Sequence, residues 1–200
     1  MRVAIIDSGV HAAHPHVNGV AGGIGIGYDD YLDRLGHGTC VTAVIREKAP
    51  EAELYAVKIF DRKLAATIDK LVAGLRWAIE RRMDLVNLSL GTANPAHTAI
   101  LSDVVREAVA AGTRIVAAYD DAGTRWLPGS LPGVVPVLLD FGIDRAAMEP
   151  CTLENGSIAY RASGYPRPMP GVSVEQNLKG ISFAVANVTG ILARPRSSSS

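Results

Sequence analysis

The sequence predicts an α/β fold in which helices cover both faces of a parallel sheet, giving three α/β/α layers. Short apolar segments fit β-strands, and segments with the apolar spacing of an amphipathic helix lie between them. This alternation is typical of parallel strands joined by right-handed crossovers. The five predicted strands cover residues 2–6, 54–60, 85–90, 114–118 and 134–139.

Two helices are predicted between the later strands. Apolar side chains recur every three or four residues across 68–79 and again across 100–109. Thr67 precedes the first of these helices as a predicted N-cap, and Asp69 lies in its first turn. Gly112 follows the second helix, at the position where a glycine commonly ends a helix.

The rest of the chain shows no internal repeat and no change of composition that would separate two domains. Residues 122–180 are rich in glycine and proline, which predicts loops and short strands. We therefore predict one domain over residues 1–193, followed by a disordered tail at 194–200 that ends in four serines.

Composition and charge restrict the function classes. The chain has 48% hydrophobic residues and equal numbers of acidic and basic residues, 20 of each, so it lacks the net basic charge of a nucleic-acid-binding protein. The first apolar run, residues 3–6, is shorter than the core of a secretory signal, and no apolar stretch reaches the ~20 residues of a membrane helix. We expect a cytoplasmic protein without a membrane partner, with Cys40 and Cys151 as free thiols.

Three polar residues stand at the ends of apolar segments. Asp7 follows the first predicted strand, where ligands of parallel sheets bind. His37 lies between two glycines at the start of an apolar helical stretch, and Ser182 begins a helix of small apolar residues. Taken alone, an aspartate at a strand end can be a loop cap or a catalytic residue. A serine at a helix start can likewise be an N-cap or a catalytic residue. The glycines are expected to leave the imidazole of His37 uncrowded.

Taken in chain order, these sites resemble the signature blocks of the subtilisin-like serine proteases, the subtilases. The sequence Asp-Ser-Gly-Val begins at residue 7, His-Gly-Thr-Cys-Val at residue 37 and Gly-Ile-Ser-Phe-Ala at residue 180. Segments 55–58, 87–91 and 127–134 are similar to the family as well, so the resemblance extends over nearly the whole chain. It implies a truncated subtilisin-like fold.

The resemblance also implies a mechanism, that of a serine endopeptidase acting through an acyl-enzyme. Ser182 would attack the peptide carbonyl, His37 would take its proton, and Asp7 would orient the imidazole. The substrate would be a peptide or a protein.

The resemblance further implies where the substrate lies. Ser89, Leu90 and Gly91 would form one edge of the cleft and pair with an extended peptide. The segment after Lys58 is shorter than in the family, which reduces the cleft. A small cleft suggests the maturation of a specific peptide.

Two departures from the family concern activity. Asp121 occupies the position of the family's oxyanion asparagine, and an ionised carboxylate cannot donate a hydrogen bond. Activity is therefore expected to be low unless Asp121 is protonated. We also expect that no inhibitory segment precedes Asp7, and therefore that the enzyme is restrained by narrow specificity or by dependence on an activating partner protein.

A third departure concerns metals. The family's usual calcium loop after the His block is missing, and neither a metal nor a cofactor is predicted. Asp29, Asp30 and Asp33 form the only dense carboxylate cluster, which we interpret as a solvated loop rather than a calcium site.

A second hypothesis is a pseudoprotease, which binds a peptide or a partner protein without cutting it. The loss of the oxyanion amide favours this hypothesis. The presence of all three triad residues in family order favours catalysis.

Overall fold

The computed structural model of the protein describes residues 1–173 and 176–195. The strands are β1 (Arg2–Asp7), β2 (Gly22–Gly25), β3 (Glu53–Lys58), β4 (Leu85–Leu88), β5 (Arg114–Asp121), β6 (Thr124–Arg125), β7 (Val135–Leu139), β8 (Met148–Thr152) and β9 (Ile158–Ala162). The α-helices are α1 (His37–Lys48), α2 (Ile68–Glu80), α3 (Thr98–Ala111) and α4 (Ile181–Leu192), and one turn of 3-10 helix, Pro95–His97, precedes α3.

The strands form one sheet with the order β2-β3-β1-β4-β5-β7-β9-β8, to which β6 is attached through β5. Neighbours from β2 to β9 are parallel, whereas β8 is antiparallel to β9. This confirms the predicted parallel α/β fold. Strands β2 and β3 lie on one side of β1 and the later strands on the other, so the loops after β1 and β4 diverge and open a crevice.

Side chains of the central strand β1 enter two separate cores. Val3 and Ile5 pack with α1 and α4, whereas Ala4 and Ile6 pack with α2 and α3. Successive side chains of a strand point to opposite faces, so a strand covered on both faces must be apolar throughout. The three predicted α/β/α layers are confirmed.

The predicted helix ends are also confirmed. The Thr67 side chain accepts the N–H of Lys70 at the start of α2, and Gly112 has the left-handed φ of 78° that ends α3. None of the helices in the described part of the chain is long and apolar enough to cross a membrane.

The strand ends differ from the predictions by a few residues. The strands predicted to end at 60 and 90 stop at Lys58 and Leu88. The strand predicted to end at 118 continues to Asp121, because its last residues pair with β6 as a hairpin. The described residues within 122–180 form loops and short strands as predicted. Residues 174 and 175, and the last five residues of the predicted tail, 196–200, lie outside the described residues.

Candidate active site

Asp7 ends β1 at the bottom of the crevice and is fully buried. Its Oδ1 accepts the N–H of Ser8 at 2.7 Å, and Oδ1 and Oδ2 lie 2.8 and 3.0 Å from Nδ1 of His37. A buried carboxylate requires donors that stabilise its charge. Because an ionised carboxylate only accepts, Nδ1 of His37 carries a proton in this pair and Nε2 is left as the basic nitrogen.

His37 is the first residue of α1, and its two flanking glycines serve the backbone. Gly36 has a left-handed φ of 91°, and a Cβ added to Gly38 would lie 2.2 Å from the Gly9 carbonyl oxygen. Gly38 thus allows the start of α1 to lie directly against the loop after β1, which brings His37 to Asp7.

Asp33 and Ser8 hold this close approach in place. Asp33 Oδ1 accepts the N–H groups of Leu35 and Gly36, and Oδ2 accepts the backbone N–H and the hydroxyl of Thr39, all at 2.6 to 2.9 Å. Ser8 donates its hydroxyl to Asp33 at 2.8 Å and accepts the N–H of Gly38 at 3.0 Å. The carboxylate therefore caps a helix whose N-cap position, a glycine, offers no side chain.

The carboxylates around His37 affect its protonation. Burial lowers the pKa of the imidazole, but the hydrogen bond to Asp7 and the charges of Asp7 and Asp33 outweigh burial and raise the pKa above its ordinary value. Burial raises the pKa of Asp33. Its hydrogen bonds to Thr39 and to the helix N–H groups lower the pKa by more than burial raises it, so the pKa of Asp33 lies below the ordinary value. Asp33 therefore remains charged when His37 titrates.

We expect Asp33→Asn to lower the pKa of His37, because the substitution removes a negative charge that stabilises the imidazolium. An NMR titration of the His37 ring would measure the change, with Asp103→Asn, an exposed carboxylate on α3, as the control. An unchanged or higher pKa in folded Asp33→Asn would contradict this electrostatic role.

Ser182 is the second residue of α4. Its Oγ donates to the backbone oxygen of Ser89 at 3.2 Å, and no hydrogen bond joins it to His37 among the described residues. The first N–H groups of a helix have no partner within the helix. The Ser182 N–H therefore points out of the helix, at the end where the helix dipole is positive.

His37 and Ser182 line one cavity of about 350 Å³. Ser89, Leu90 and Gly91 follow β4 and form part of its wall, as the resemblance implied. Apart from His37 and His97, no ionisable side chain belongs to the described lining. Most of the remaining wall is apolar and includes Phe60, Leu64, Ala65, Ala66, Ile68, Leu71, Ala118, Trp126 and Ile181.

The sequence analysis did not identify Trp126 and His97 as parts of the cleft. Trp126 lies beside Gly91, where an added Cβ would be 3.3 Å from the Trp126 Cβ, and the neighbouring Leu127 forms a two-bond bridge with Thr92. The His97 ring contacts the Thr92 hydroxyl through Nδ1 at 3.3 Å. Trp126 reaches the cleft through the long-range pairing of Leu127 with Thr92, for which its local sequence carries no signal, whereas His97 contacts a residue only five positions away.

Asp121 lies in the β5–β6 hairpin, where it pairs with Thr124. It is absent from the described lining of the cavity, although Ala118 on the same strand and Trp126 after the hairpin belong to it. A bulge interrupts the pairing of β5 with β7 between Ala118 and Asp120, immediately before this position.

The acidic cluster is divided between two roles. Asp29 and Asp30 are exposed, and Asp30 pairs with Arg34 at 2.7 Å. Asp33 instead caps α1, so it is not part of a solvated loop as we had interpreted it. Within residues 1–173 and 176–195, no group of three or more His, Cys, Asp or Glu side chains is arranged to hold a metal ion.

The parallel α/β fold agrees with the subtilisin-like fold that the sequence resemblance implied. Residues 1–134 match the family model described as the subtilase family. The chain therefore belongs to this family, as its sequence blocks indicated.

Curated relatives agree with this assignment. The chain is 29% identical to subtilisin E of Bacillus subtilis over 96% of this chain and 52% of that protein. It is 31% identical to the thermostable alkaline protease of Halalkalibacterium halodurans over 98% of this chain and 56% of that protein. It is 37% identical to the minor extracellular protease Epr of Bacillus subtilis over 62% of this chain and 20% of that protein. The chain thus spans about half the length of subtilisin E and of the alkaline protease.

Proposed function

We propose that the protein is a serine endopeptidase with Asp7, His37 and Ser182 as its catalytic triad. The observation that carries the proposal is the contact of His37 Nδ1 with the buried Asp7 carboxylate at 2.8 Å, in a cleft that Ser182 also lines. Membership of the subtilase family supports it. A histidine held this way presents a basic nitrogen to the cleft, which a serine nucleophile requires.

The reaction follows from the roles of these groups. His37 accepts the proton of the Ser182 hydroxyl as Oγ attacks the carbonyl carbon of the peptide bond. His37 then gives this proton to the leaving amine, and a water molecule activated by the same base hydrolyses the acyl-enzyme. For the first step the Ser182 hydroxyl must rotate from the Ser89 oxygen, which it contacts at 3.2 Å, towards His37.

The oxyanion of this reaction requires a donor, for which we propose the Ser182 N–H, since the first N–H groups of α4 have no partner within the helix. The family's second donor is an amide side chain, for which Asp121 is no substitute while it is ionised. In subtilisin, removal of that asparagine donor lowers turnover by about 10²–10³. We therefore propose an enzyme of low turnover.

The cleft favours a peptide or protein substrate with apolar side chains. Segment 89–91 lines the cavity, and we propose that its backbone pairs with an extended substrate chain. The apolar wall opposite it, which includes Leu64 and Ile68, would bury such side chains. Selectivity of this kind fits the maturation of a specific peptide, which we include in the proposal.

A fluorophosphonate tests the proposal directly, because it reacts only with an activated serine. We expect mass spectrometry to find the label on Ser182, no label on Ser182→Ala, and unchanged labelling of Ser102→Ala, whose serine lies on α3 outside the cleft. Cleavage of unstructured apolar peptides should follow the same pattern. Labelling at another serine would contradict the assignment of the nucleophile.

A second candidate function is peptide binding without cleavage. Two observations favour this function. The Ser182 hydroxyl donates to the Ser89 backbone oxygen rather than to His37, and the oxyanion position holds the carboxylate of Asp121. An unlabelled wild-type protein that still binds peptides in its cleft would support this function. An activating partner protein would instead restore labelling when it is added.

A further inference from the structure

A chain of hydrogen bonds crosses from the middle of α4 to Ser182 through the end of β4. The Thr189 hydroxyl donates to Asn87 Oδ1 at 3.0 Å, and Asn87 Nδ2 donates to the Ser89 hydroxyl at 2.9 Å. The Ser89 hydroxyl donates to the Ser182 backbone oxygen at 3.2 Å, and the Ser182 hydroxyl donates back to the Ser89 backbone oxygen, also at 3.2 Å.

Each bond in this chain determines the direction of the next. The Ser182 carbonyl oxygen can only accept, so the Ser89 hydroxyl gives it its single proton and must itself accept from Asn87. Asn87 therefore turns its amino group towards Ser89 and its Oδ1 towards Thr189, whose hydroxyl donates to it. Thr189 and Asn87 are both 0% exposed, so bulk water does not compete for these bonds.

Packing alone does not require a polar pair here. The neighbours of Thr189 on α4 are apolar and Asn87 lies within the apolar strand β4, so valine and leucine would suit these positions. A helical threonine can also donate to a carbonyl of its own helix, as Thr42 of α1 does to Gly38. The Thr189 hydroxyl donates instead to the neighbouring strand. Burying an amide is costly unless its partners are fixed, which points to a role beyond packing.

We propose that Thr189 and Asn87 are positioning residues, which fix Ser89 and through it the place of the Ser182 nucleophile relative to the substrate segment 89–91. This inference rests on the proposed function. Neither residue lines the cavity, so neither touches the substrate. Their effect reaches the reaction through the bond from the Ser89 hydroxyl to the Ser182 backbone oxygen, which is kept when the Ser182 hydroxyl turns towards His37.

Thr189→Val tests the proposal, because it removes the hydroxyl and nearly keeps the shape. Asn87 then loses the donor that orients its amide, and Ser89 can reverse its bonds. We expect the rate of Ser182 labelling and the kcat for an apolar peptide to fall about tenfold, with KM changed less than twofold, since misplaced reacting groups slow the chemical step. Thr189→Ser, which keeps the donor, should restore both rates.

Thr113→Val is a matched control, because Thr113 is also buried but donates to the Met83 carbonyl away from the cleft. Its labelling rate should equal that of the wild type, even where its melting temperature falls as much as that of Thr189→Val. If Thr189→Val does not fold, Thr189→Ala replaces it, because alanine also lacks the hydroxyl and adds no methyl group. Thr189→Ala should then show the same loss of kcat.

The outcomes separate this proposal from the proposed function. Wild-type protein that is labelled, with Thr189→Val or Thr189→Ala labelled at the same rate, would overturn the positioning role and leave the triad intact. Equal losses in Thr113→Val would show a general effect of stability and would also overturn it. Wild-type protein without labelling would contradict the proposed function, and the positioning role with it.

Discussion

Asp7→Asn is expected to lower the rate of peptide hydrolysis by about 10⁴-fold, the loss seen when the triad aspartate of a serine protease is replaced by asparagine. The Asp7 carboxylate accepts the proton of His37 Nδ1 at 2.8 Å. An amide can turn its NH₂ group towards Nδ1, which would then carry the lone pair and leave the proton on Nε2. The histidine could no longer accept a proton from Ser182.

The measurement is kcat for an apolar peptide, with the rate of fluorophosphonate labelling as a second readout. Asp84→Asn is a suitable control, because Asp84 also accepts a backbone N–H, from Arg2 at 2.7 Å, but lies at the opposite end of the sheet. It should retain wild-type activity. An Asp7→Asn protein that folds and keeps more than about a tenth of the activity would rule out Asp7 as the residue that orients His37.

Gly38→Ala is expected to have the second-largest effect, a loss of about 10²-fold or more in the same rate. The added Cβ would lie 2.2 Å from the Gly9 carbonyl oxygen and 3.1 Å from the Asp7 Cβ. The Gly9 oxygen belongs to the backbone, so the start of α1 must shift away from the loop after β1. A shift of about 1 Å in a catalytic group is enough for a loss of this size.

Gly36→Ala is the matched control at the start of the same helix. Gly36 has a φ of 91°, and an added Cβ would meet no atom within 4 Å. The alanine costs about 1–2 kcal/mol of backbone strain but leaves the contact of α1 with β1 unchanged. We expect a lower melting temperature with kcat close to that of the wild type. Equal kcat in Gly38→Ala and Gly36→Ala would show that the close approach at Gly38 is not needed for catalysis.

The sequence alone was sufficient to predict the features that depend on local patterns. Strand β1 is apolar at every position from Val3 to Ile6, which indicated a strand covered on both faces, and α2 has the apolar spacing and the Thr67 cap of a surface helix. The signature blocks predicted the subtilase family, which the family match confirmed. Such features can be read from the sequence because they are repeated or contiguous along the chain.

Other features depend on residues that only the folded chain brings together. Asp33 was interpreted as part of a solvated loop because its neighbours in sequence are acidic, whereas its partners are the N–H groups at the start of α1. Trp126 reaches the cleft through the β5–β6 hairpin and the bridge between Thr92 and Leu127. The hairpin also determines where Asp121 lies. The sequence aligned Asp121 with the family's oxyanion asparagine but could not locate it relative to the cleft.

The bond between Thr189 and Asn87 shows the reason most clearly. The two residues are 102 positions apart, and each alone is a polar residue in an apolar element. Local patterns could only mark them as exceptions to the apolar periodicity. Their pairing depends on how α4 packs across β4, and this packing is set by the many apolar contacts of the whole core rather than by either segment.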